Sequence, residues 1–487
     1  MRLRPISLGW PLAALTLALL SACATGPVAP LPTGDAVAST WPEAVSAPEK
    51  GTPSGARVPG TDWRELVAEA RLRSVIELAL QSNRDLRSAV LAIEQARATY
   101  RIQEAAERPT LNGSAGMSAT NTPAEASTSG QRVLARQSNL TVGITSYELD
   151  LFGRVKSLST SALESYLNTE AARQSTELSL VAQVAVAWLT LAADQQQLAL
   201  ARETWQSQQK TRELTEQMLA LGSSTALAVA QARSALETAR VSAASAQATV
   251  EQDRHALTLL VGQVVPDSWL PSGRLEATLG PLVAVPGGLP ASVLQHRPDV
   301  AAAEHLLLAS HADLAAARAA LFPRITLTTS AGTASRGLSD LFQGTAWAFS
   351  PSITLPLLDG GAAKATVRKA EAAQGIQLAS YEKTLQTAFK EVADALSVRR
   401  SLDERLQGQA AVVAASQQSA DLALARFRGG ADTLLSVLDA QRTLYSAQQA
   451  LITLQLTEQS NRITLYKALG GAWAGQAQAL AGAATPG

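Results

Sequence analysis

The chain has 487 residues, 46% of them hydrophobic but only 4% aromatic, and its 41 basic residues balance 41 acidic ones. Zero formal charge gives no support for a nucleic-acid partner, which calls for a basic surface. A single cysteine excludes a disulfide framework, and apolar content that is mostly Ala, Leu and Val suits closely packed helices rather than a large aromatic core.

The first residues read as a secretory signal. Arg2 and Arg4 form the basic region, and an apolar run from Leu8 to Leu20 follows. That run is too short for a transmembrane helix. It ends in Leu20-Ser21-Ala22-Cys23, which resembles the bacterial lipoprotein box, so residues 1–22 are expected to be removed and Cys23 to carry lipid. An acylated Cys23 would act as a tether, and Ala24 after it gives no inner-membrane retention signal. Residues 23–61, rich in Pro, Gly, Ala, Ser and Thr, read as an extended leader.

Order is expected from Asp62, a plausible N-cap. A helical pattern runs through Leu66, Leu72, Ile76 and Leu80, restarts after Asn83-Arg84-Asp85, and is stopped by Pro109. Two strand-like runs follow, separated by a polar loop over 119–137. In the second run Leu140, Val142 and Ile144 alternate with Thr141, Gly143 and Thr145.

Between Gly153 and Gly222 lie 68 residues with no proline and no further glycine. Leu178, Val181, Ala185, Trp188 and Ala192 step by three and four, while Val184, Leu191, Leu198 and Trp205 recur every seven. This predicts one helix about 100 Å long at 1.5 Å per residue, in an extended coiled coil. A turn at Leu221-Gly222-Ser223-Ser224 leads to a shorter return helix from Thr225 to Val261.

A Pro- and Gly-rich connector then precedes a second pass through the same order. Arg297-Pro298-Asp299 opens a helix that Pro323 ends. Strand alternation appears in Ile325 and Leu327, and again in Trp347, Phe349, Ile353, Leu355 and Leu357. A second long helix runs to Arg428, with Gly375 and Gly408 inside it as soft points, and a return helix follows the turn at Gly429-Gly430. Matched intervals imply an internal duplication: a first repeat over 62–265, a connector over 266–290, a second repeat over 291–471 and a tail over 472–487. The fold class is mainly α with β, built from duplicated long-helix hairpins and four strands.

Four strands of about ten residues have the length and alternation of a transmembrane β-barrel, yet barrels need about eight or more. An unclosed edge in lipid leaves backbone groups unpaired at several kcal/mol each. Copies must therefore join if these strands enter a membrane; dimer, trimer and tetramer are all compatible with the arithmetic. A soluble β-subdomain packed on helices is the alternative.

Catalytic chemistry finds no footing. His255, His296, His305 and His311 have no metal-ligand spacing, and no phosphate loop, nucleophile elbow or dinucleotide fingerprint occurs. Ser380-Tyr-Glu-Lys383 fits S-x-x-K without the companion motifs and falls inside the second long helix. No enzyme activity and no cofactor are expected. Three methionines argue against a methionine relay for copper or silver.

Four stretches carry a resemblance: Tyr147-Glu-Leu-Asp-Leu-Phe-Gly-Arg154, Arg297-Pro-Asp-Val-Ala-Ala-Ala-Glu304, Ala316-Ala-Arg-Ala-Ala-Leu-Phe-Pro-Arg-Ile-Thr-Leu327, and Leu438-Asp-Ala-Gln-Arg442 with Leu465-Tyr-Lys-Ala-Leu-Gly-Gly-Ala-Trp473. In this order they resemble the TolC-type outer-membrane efflux family, in particular its NodT-like lipoprotein branch serving resistance-nodulation-division pumps. The resemblance implies a homotrimer with a 12-stranded barrel in the outer membrane and a periplasmic tunnel of helices. It implies partners: a periplasmic adaptor, docked at hairpin tips Gly222, Ser223, Gly429 and Gly430, and an inner-membrane pump. It also implies a periplasmic gate at Leu435, Asp439 and Arg442, with a leucine ring that resists wetting beside a carboxylate ring that favours cations. Leu434 and Leu435 are both candidates for the leucine. Read without the resemblance, Leu435 is seam packing and Asp439 a solvated helix charge. Export of proteins and a non-conducting structural envelope lipoprotein are the competing functions.

Overall fold

The computed structural model describes residues 62–272, 275 and 291–471. The signal peptide, Cys23, the leader up to residue 61, most of the connector and the tail expected from the sequence lie outside the described residues. In chain order the helices and strands are α1 (Trp63–Leu66), α2 (Ala70–Ser82), α3 (Arg84–Ala105), β1 (Leu111–Thr122), β2 (Val133–Glu148), α4 (Arg154–Ala220), α5 (Ala226–Val261), α6 (Pro298–Ala319), β3 (Arg324–Ser335), β4 (Thr345–Thr354), α7 (Ala362–Arg428) and α8 (Leu434–Ala468). The two long helices have 67 residues each. Gly375 and Gly408 do not interrupt α7; a continuous ladder of helical hydrogen bonds absorbs the cost of about 1 kcal/mol per glycine.

The duplication is tighter than the landmarks suggested. Gly153 and Gly361, Gly222 and Gly430, and Gly262 and Gly470 all have positive φ, and each pair is 208 positions apart. Gly360 is left-handed as well, but Gly361 directly precedes its long helix as Gly153 does, so the second copy is aligned through Gly361 and Gly430, one residue later than Gly360 and Gly429. Gly429 belongs to the end of the helical turn, its N–H bonded to Ala425 O, whereas Gly430 takes the left-handed conformation at φ 73°.

The chain divides into two compact units. One contains Ala92–Glu170 and Ala302–Tyr381, and its centre is an antiparallel sheet in the order β1-β2-β3-β4. Strand extents differ from expectation. Residues 119–122 and 133–137 pair across the first hairpin, so its loop is 123–132 rather than 119–137. Leu355 and Leu357 lie beyond the end of β4. Alternation marks only the apolar-faced part of a strand, while backbone pairing continues past it through Thr120, Asn121 and Arg136.

Register assigns the two faces. Leu111 faces Ile144, Gly113 faces Val142 and Ala115 faces Leu140 on one side, while Ser114 faces Thr141 and Asn112 faces Gly143 on the other. In the second hairpin Ile325 pairs with Ile353, Thr329 with Phe349 and Ala331 with Trp347, against Thr326 with Ser352 and Thr328 with Ser350. The register slips once between β2 and β3: Ile144 pairs with Thr329, but Tyr147 pairs with Leu327, leaving a bulge at Ser146, whose φ is 54°. Beyond the bulge Tyr147 joins the apolar face and Glu148 the polar one. Glu148, with its side chain 11% exposed, accepts two bonds from the Arg154 guanidinium (2.8 and 2.7 Å) and an ion pair from Arg324 at 2.6 Å.

The other unit holds the apolar core, with described residues 62–91, 171–272, 275, 291–301 and 382–471. Leu180, Val184, Trp188, Leu191 and Leu198 on α4 pack against Leu72, Val75 and Ile76 of α2 and Val250, Leu257 and Val261 of α5. Both predicted patterns contribute: Val181, Ala185, Trp188 and Ala192 of the three-and-four stripe and Val184, Leu191 and Leu198 of the seven-residue seam lie in this core, whereas Trp205, expected to continue the seam, is exposed. The indole of Trp188 donates to Trp269 O at 3.0 Å, fixing the start of the connector on α4. Asn83 breaks α2 from α3: its Oδ1 accepts Leu86 N (2.8 Å) and its Nδ2 donates to Leu260 O (2.7 Å).

Candidate functional site

The sheet is the first functional element. One of its faces is mostly apolar, with Leu140, Val142, Trp347, Phe349 and Ile353 all exposed and Thr329 among them. Its other face carries hydroxyl and amide groups, with Ser114 and Thr141 bonded to each other at 2.8 Å. Among the described residues, β1 and β4 each pair on one side only, so both sheet edges present free backbone donors and acceptors. Pro351 sits in edge strand β4, where a missing N–H is tolerated.

The second element is the pair of hairpin tips. Both close by the same device: Ser223 N donates to Met218 O (2.8 Å) beyond Gly222, and Ala431 N donates to Arg426 O (2.9 Å) beyond Gly430. These are Schellman turns, which need the left-handed residue that glycine supplies. The tips then differ. The first exposes Leu221 and Leu227, with Thr225 capping α5 through Ala228 N at 3.2 Å. The second is polar and clasped: Asp432 accepts from Thr433 N (2.7 Å) and Ser436 Oγ (2.8 Å) and pairs with Arg426 at 3.3 Å. The Ser436 hydroxyl and the Thr433 amide hold the Asp432 carboxyl below the usual range.

The three residues singled out as a gate lie on the first turns of α8, and adjacent leucines part company there. Leu434 is 3% exposed, packed with Ala232, Phe427 and Val437; Leu435 is 61% exposed. Asp439 and Arg442 form an i,i+3 ion pair whose two side chains are both largely exposed. Leu435, Asp439 and Arg442 all line one cavity of about 440 Å³ between α4, α5 and α8. Gln208 on α4 reaches Gln441 on α8 across it, Nε2 to Oε1 at 3.0 Å.

Two features have contacts that the sequence does not reveal. Arg297 is a buried hub: it meets Asp299 through two nitrogens (3.0 and 2.8 Å), Glu391 at 2.7 Å and Ala468 O at 2.8 Å. Burial alone would lower its pKa, but Asp299 and Glu391 outweigh that and raise it. The start of α6, the middle of α7 and the end of α8 are thereby pinned to one cation. The second feature is a carboxyl pair on the α4–α5 seam. Burial, together with a hydrogen bond to Asp253, pushes Asp194 up to about 6.

A four-stranded sheet with opposed faces and two unpaired edges, in a chain that also carries two 67-residue helices, has the makeup of an outer-membrane channel subunit. The chain belongs to the outer membrane efflux protein family, whose family model matches residues 75–263 and 289–471. It is an outer-membrane efflux channel protein. The toluene efflux pump outer membrane protein TtgC and the antibiotic efflux pump outer membrane protein ArpC, both of Pseudomonas putida, are each 42% identical to it over 480 residues, covering 97% of this chain and 98% of theirs. Among solved structures, the open-state MtrE outer membrane channel of Neisseria gonorrhoeae is 36% identical with a TM-score of 0.80, covering 93% of this chain and 99% of that one.

Proposed function

We propose that three copies join, β1 of one to β4 of the next, into a 12-stranded barrel through which small molecules leave passively. Unpaired sheet edges together with an outer face dominated by exposed apolar side chains are the observation that carries this reading: in lipid each unmet backbone group costs several kcal/mol, and closure removes the edges. Ser114, Thr141, Thr328 and Ser350 would then line a wet lumen, with Trp347 and Phe349 toward lipid. A lipidated Cys23 would add a tether to the outer membrane.

At the periplasmic end, Leu435 is the inward leucine of a three-fold ring, because Leu434 is already committed to the hairpin core. Asp439 and Arg442 lie one and two turns further along α8. The exposed Leu221 and Leu227 offer the first tip as an apolar dock for a periplasmic adaptor, and an inner-membrane pump supplies the drive. Relatives named for toluene and for antibiotics point to apolar and amphipathic small molecules as cargo. Mass measurement in detergent should return three chains, and planar bilayers should show a conductance that rises in Leu435→Ala. A stable monomer, or no current in either protein, would overturn the reading.

A further inference from the structure

The cavity between α4, α5 and α8 is not a dry gap. Its floor is apolar, formed by Ala201, Ala235, Ala239 and Leu438. Gln208 is more than nine-tenths buried, at 7% exposure, and its Oε1 has no partner among the described residues, although its Nε2 is bonded to Gln441. An unmet buried acceptor is costly and marks a place for a donor. The hydroxyl groups of α5 add to the same imbalance. Thr238 Oγ1 donates to Ser234 O (2.9 Å) and Ser242 Oγ donates to Thr238 O (3.1 Å), so both hydrogens are engaged and both oxygens remain as acceptors. At the rim, the Asp439 carboxylate is held only by the exposed Arg442, and exposed pairs exchange partners at little cost. A space of about 440 Å³, apolar with a few convergent polar groups, has the form of a small-molecule site.

We propose that this cavity binds an aromatic amine, with a flat apolar body carrying an N–H donor at Gln208 and a protonated amino group at Asp439. The only charged groups of the lining, Asp439 and Arg442, pair with each other, and the unmet buried acceptor at Gln208 is what selects a ligand N–H. Such a ligand would bridge the first hairpin to α8, adding to the Gln208–Gln441 bond and to the packing of Ala232 against Leu434 and Val437. Binding rests on the cavity alone, so a Leu435 ring that fails to control conductance leaves it untouched.

Tryptamine is the probe, titrated calorimetrically into the detergent-solubilised full-length protein, with indole as the amine-free comparison. Saturable binding is expected for tryptamine, and indole should bind about tenfold more weakly. Gln208→Leu, which keeps size but removes the acceptor, should weaken tryptamine about tenfold, while Gln208→Glu, which keeps an acceptor, should retain it. Ala235→Phe, filling the floor, should abolish binding, and Gln183→Leu, on a separate groove, should leave it unchanged. Absence of saturable binding to the unaltered protein would overturn the proposal. So would equal affinity in Gln208→Leu and Ala235→Phe, or equal affinity for indole.

Discussion

Leu434 and Leu435 allow stability and conduction to be separated with one substitution each. Truncating Leu434 to alanine removes three carbons from a position 3% exposed, a transfer loss of roughly 2.4 kcal/mol at about 0.8 kcal/mol per buried methylene. A residual cavity adds to that, though the surrounding cluster is small and bordered by partly buried Leu214, Met218 and Leu438, which can settle inward. The net is about 2–3 kcal/mol, toward the low end of the range for such changes. Leu435→Ala, at an exposed position, should cost less than about 0.5 kcal/mol. Heat unfolding of an assembled membrane protein is often irreversible, so the measurement is native-state hydrogen exchange at the second tip. Slow amides of α8 near Leu434 should exchange about 30- to 150-fold faster in Leu434→Ala and within about threefold of normal in Leu435→Ala. In bilayers the order reverses, with only Leu435→Ala raising conductance without loosening the tip. Equal acceleration by both substitutions would refute the assignment of Leu435 to the open side of α8.

Three further outcomes follow from the geometry. Arg297→Met should destabilise its unit by about 2–3 kcal/mol, less than the 3–5 expected for a fully buried pair, since Asp299 and Glu391 are partly exposed and can rehydrate; limited proteolysis near Leu469 reads this, and unchanged resistance would count against the hub. Gly332→Val should prevent a heat-resistant oligomer on gels, because a Cβ there would lie 2.1 Å from Leu140 O and push β2 from β3; normal oligomer yield would contradict that packing. The Asp194 carboxyl has a higher pKa folded than unfolded, so its contribution is fully present below the unfolded value near 3.8 and is lost as pH rises to about 6. Exchange of α5 amides around Asp253, corrected for intrinsic rate, should therefore speed up between pH 4 and pH 6 and level off above. Asp253→Asn should reduce that pH dependence without abolishing it, because burial of Asp194 remains, and an unaltered profile would show that the two carboxyls do not interact.

The long helices were legible because their signals are redundant: glycine at each end, no proline within, and apolar steps of three and four that α4 buries as expected. The offset of one residue in the second copy was hidden, since Gly360-Gly361 and Gly429-Gly430 each present two glycines, and the second is selected only by where α7 begins in the one case and by its left-handed backbone in the other. Strand ends were underestimated where pairing runs through polar residues such as Thr120 and Arg136. Choosing between Leu434 and Leu435 required knowing which side of α8 meets Phe427 and Ala232, a contact between residues far apart in sequence. The same holds for Arg297, whose Pro-Asp neighbours identify a helix start but not the distant Glu391 and Ala468. Gln208 gave no signal at all: one glutamine in a helix full of them looks like surface until its neighbours bury it.

The bulge at Ser146 fixes the frame of everything that follows in β2. Were it absent, strict alternation would aim Glu148 outward beside Ile144 and strand its carboxylate away from Arg154 and Arg324. Deleting one residue from 145–146 should thus be far more damaging than inserting several into 123–132, where the count of residues sets no parity. Tolerance to length change in this chain is decided by phase rather than by exposure.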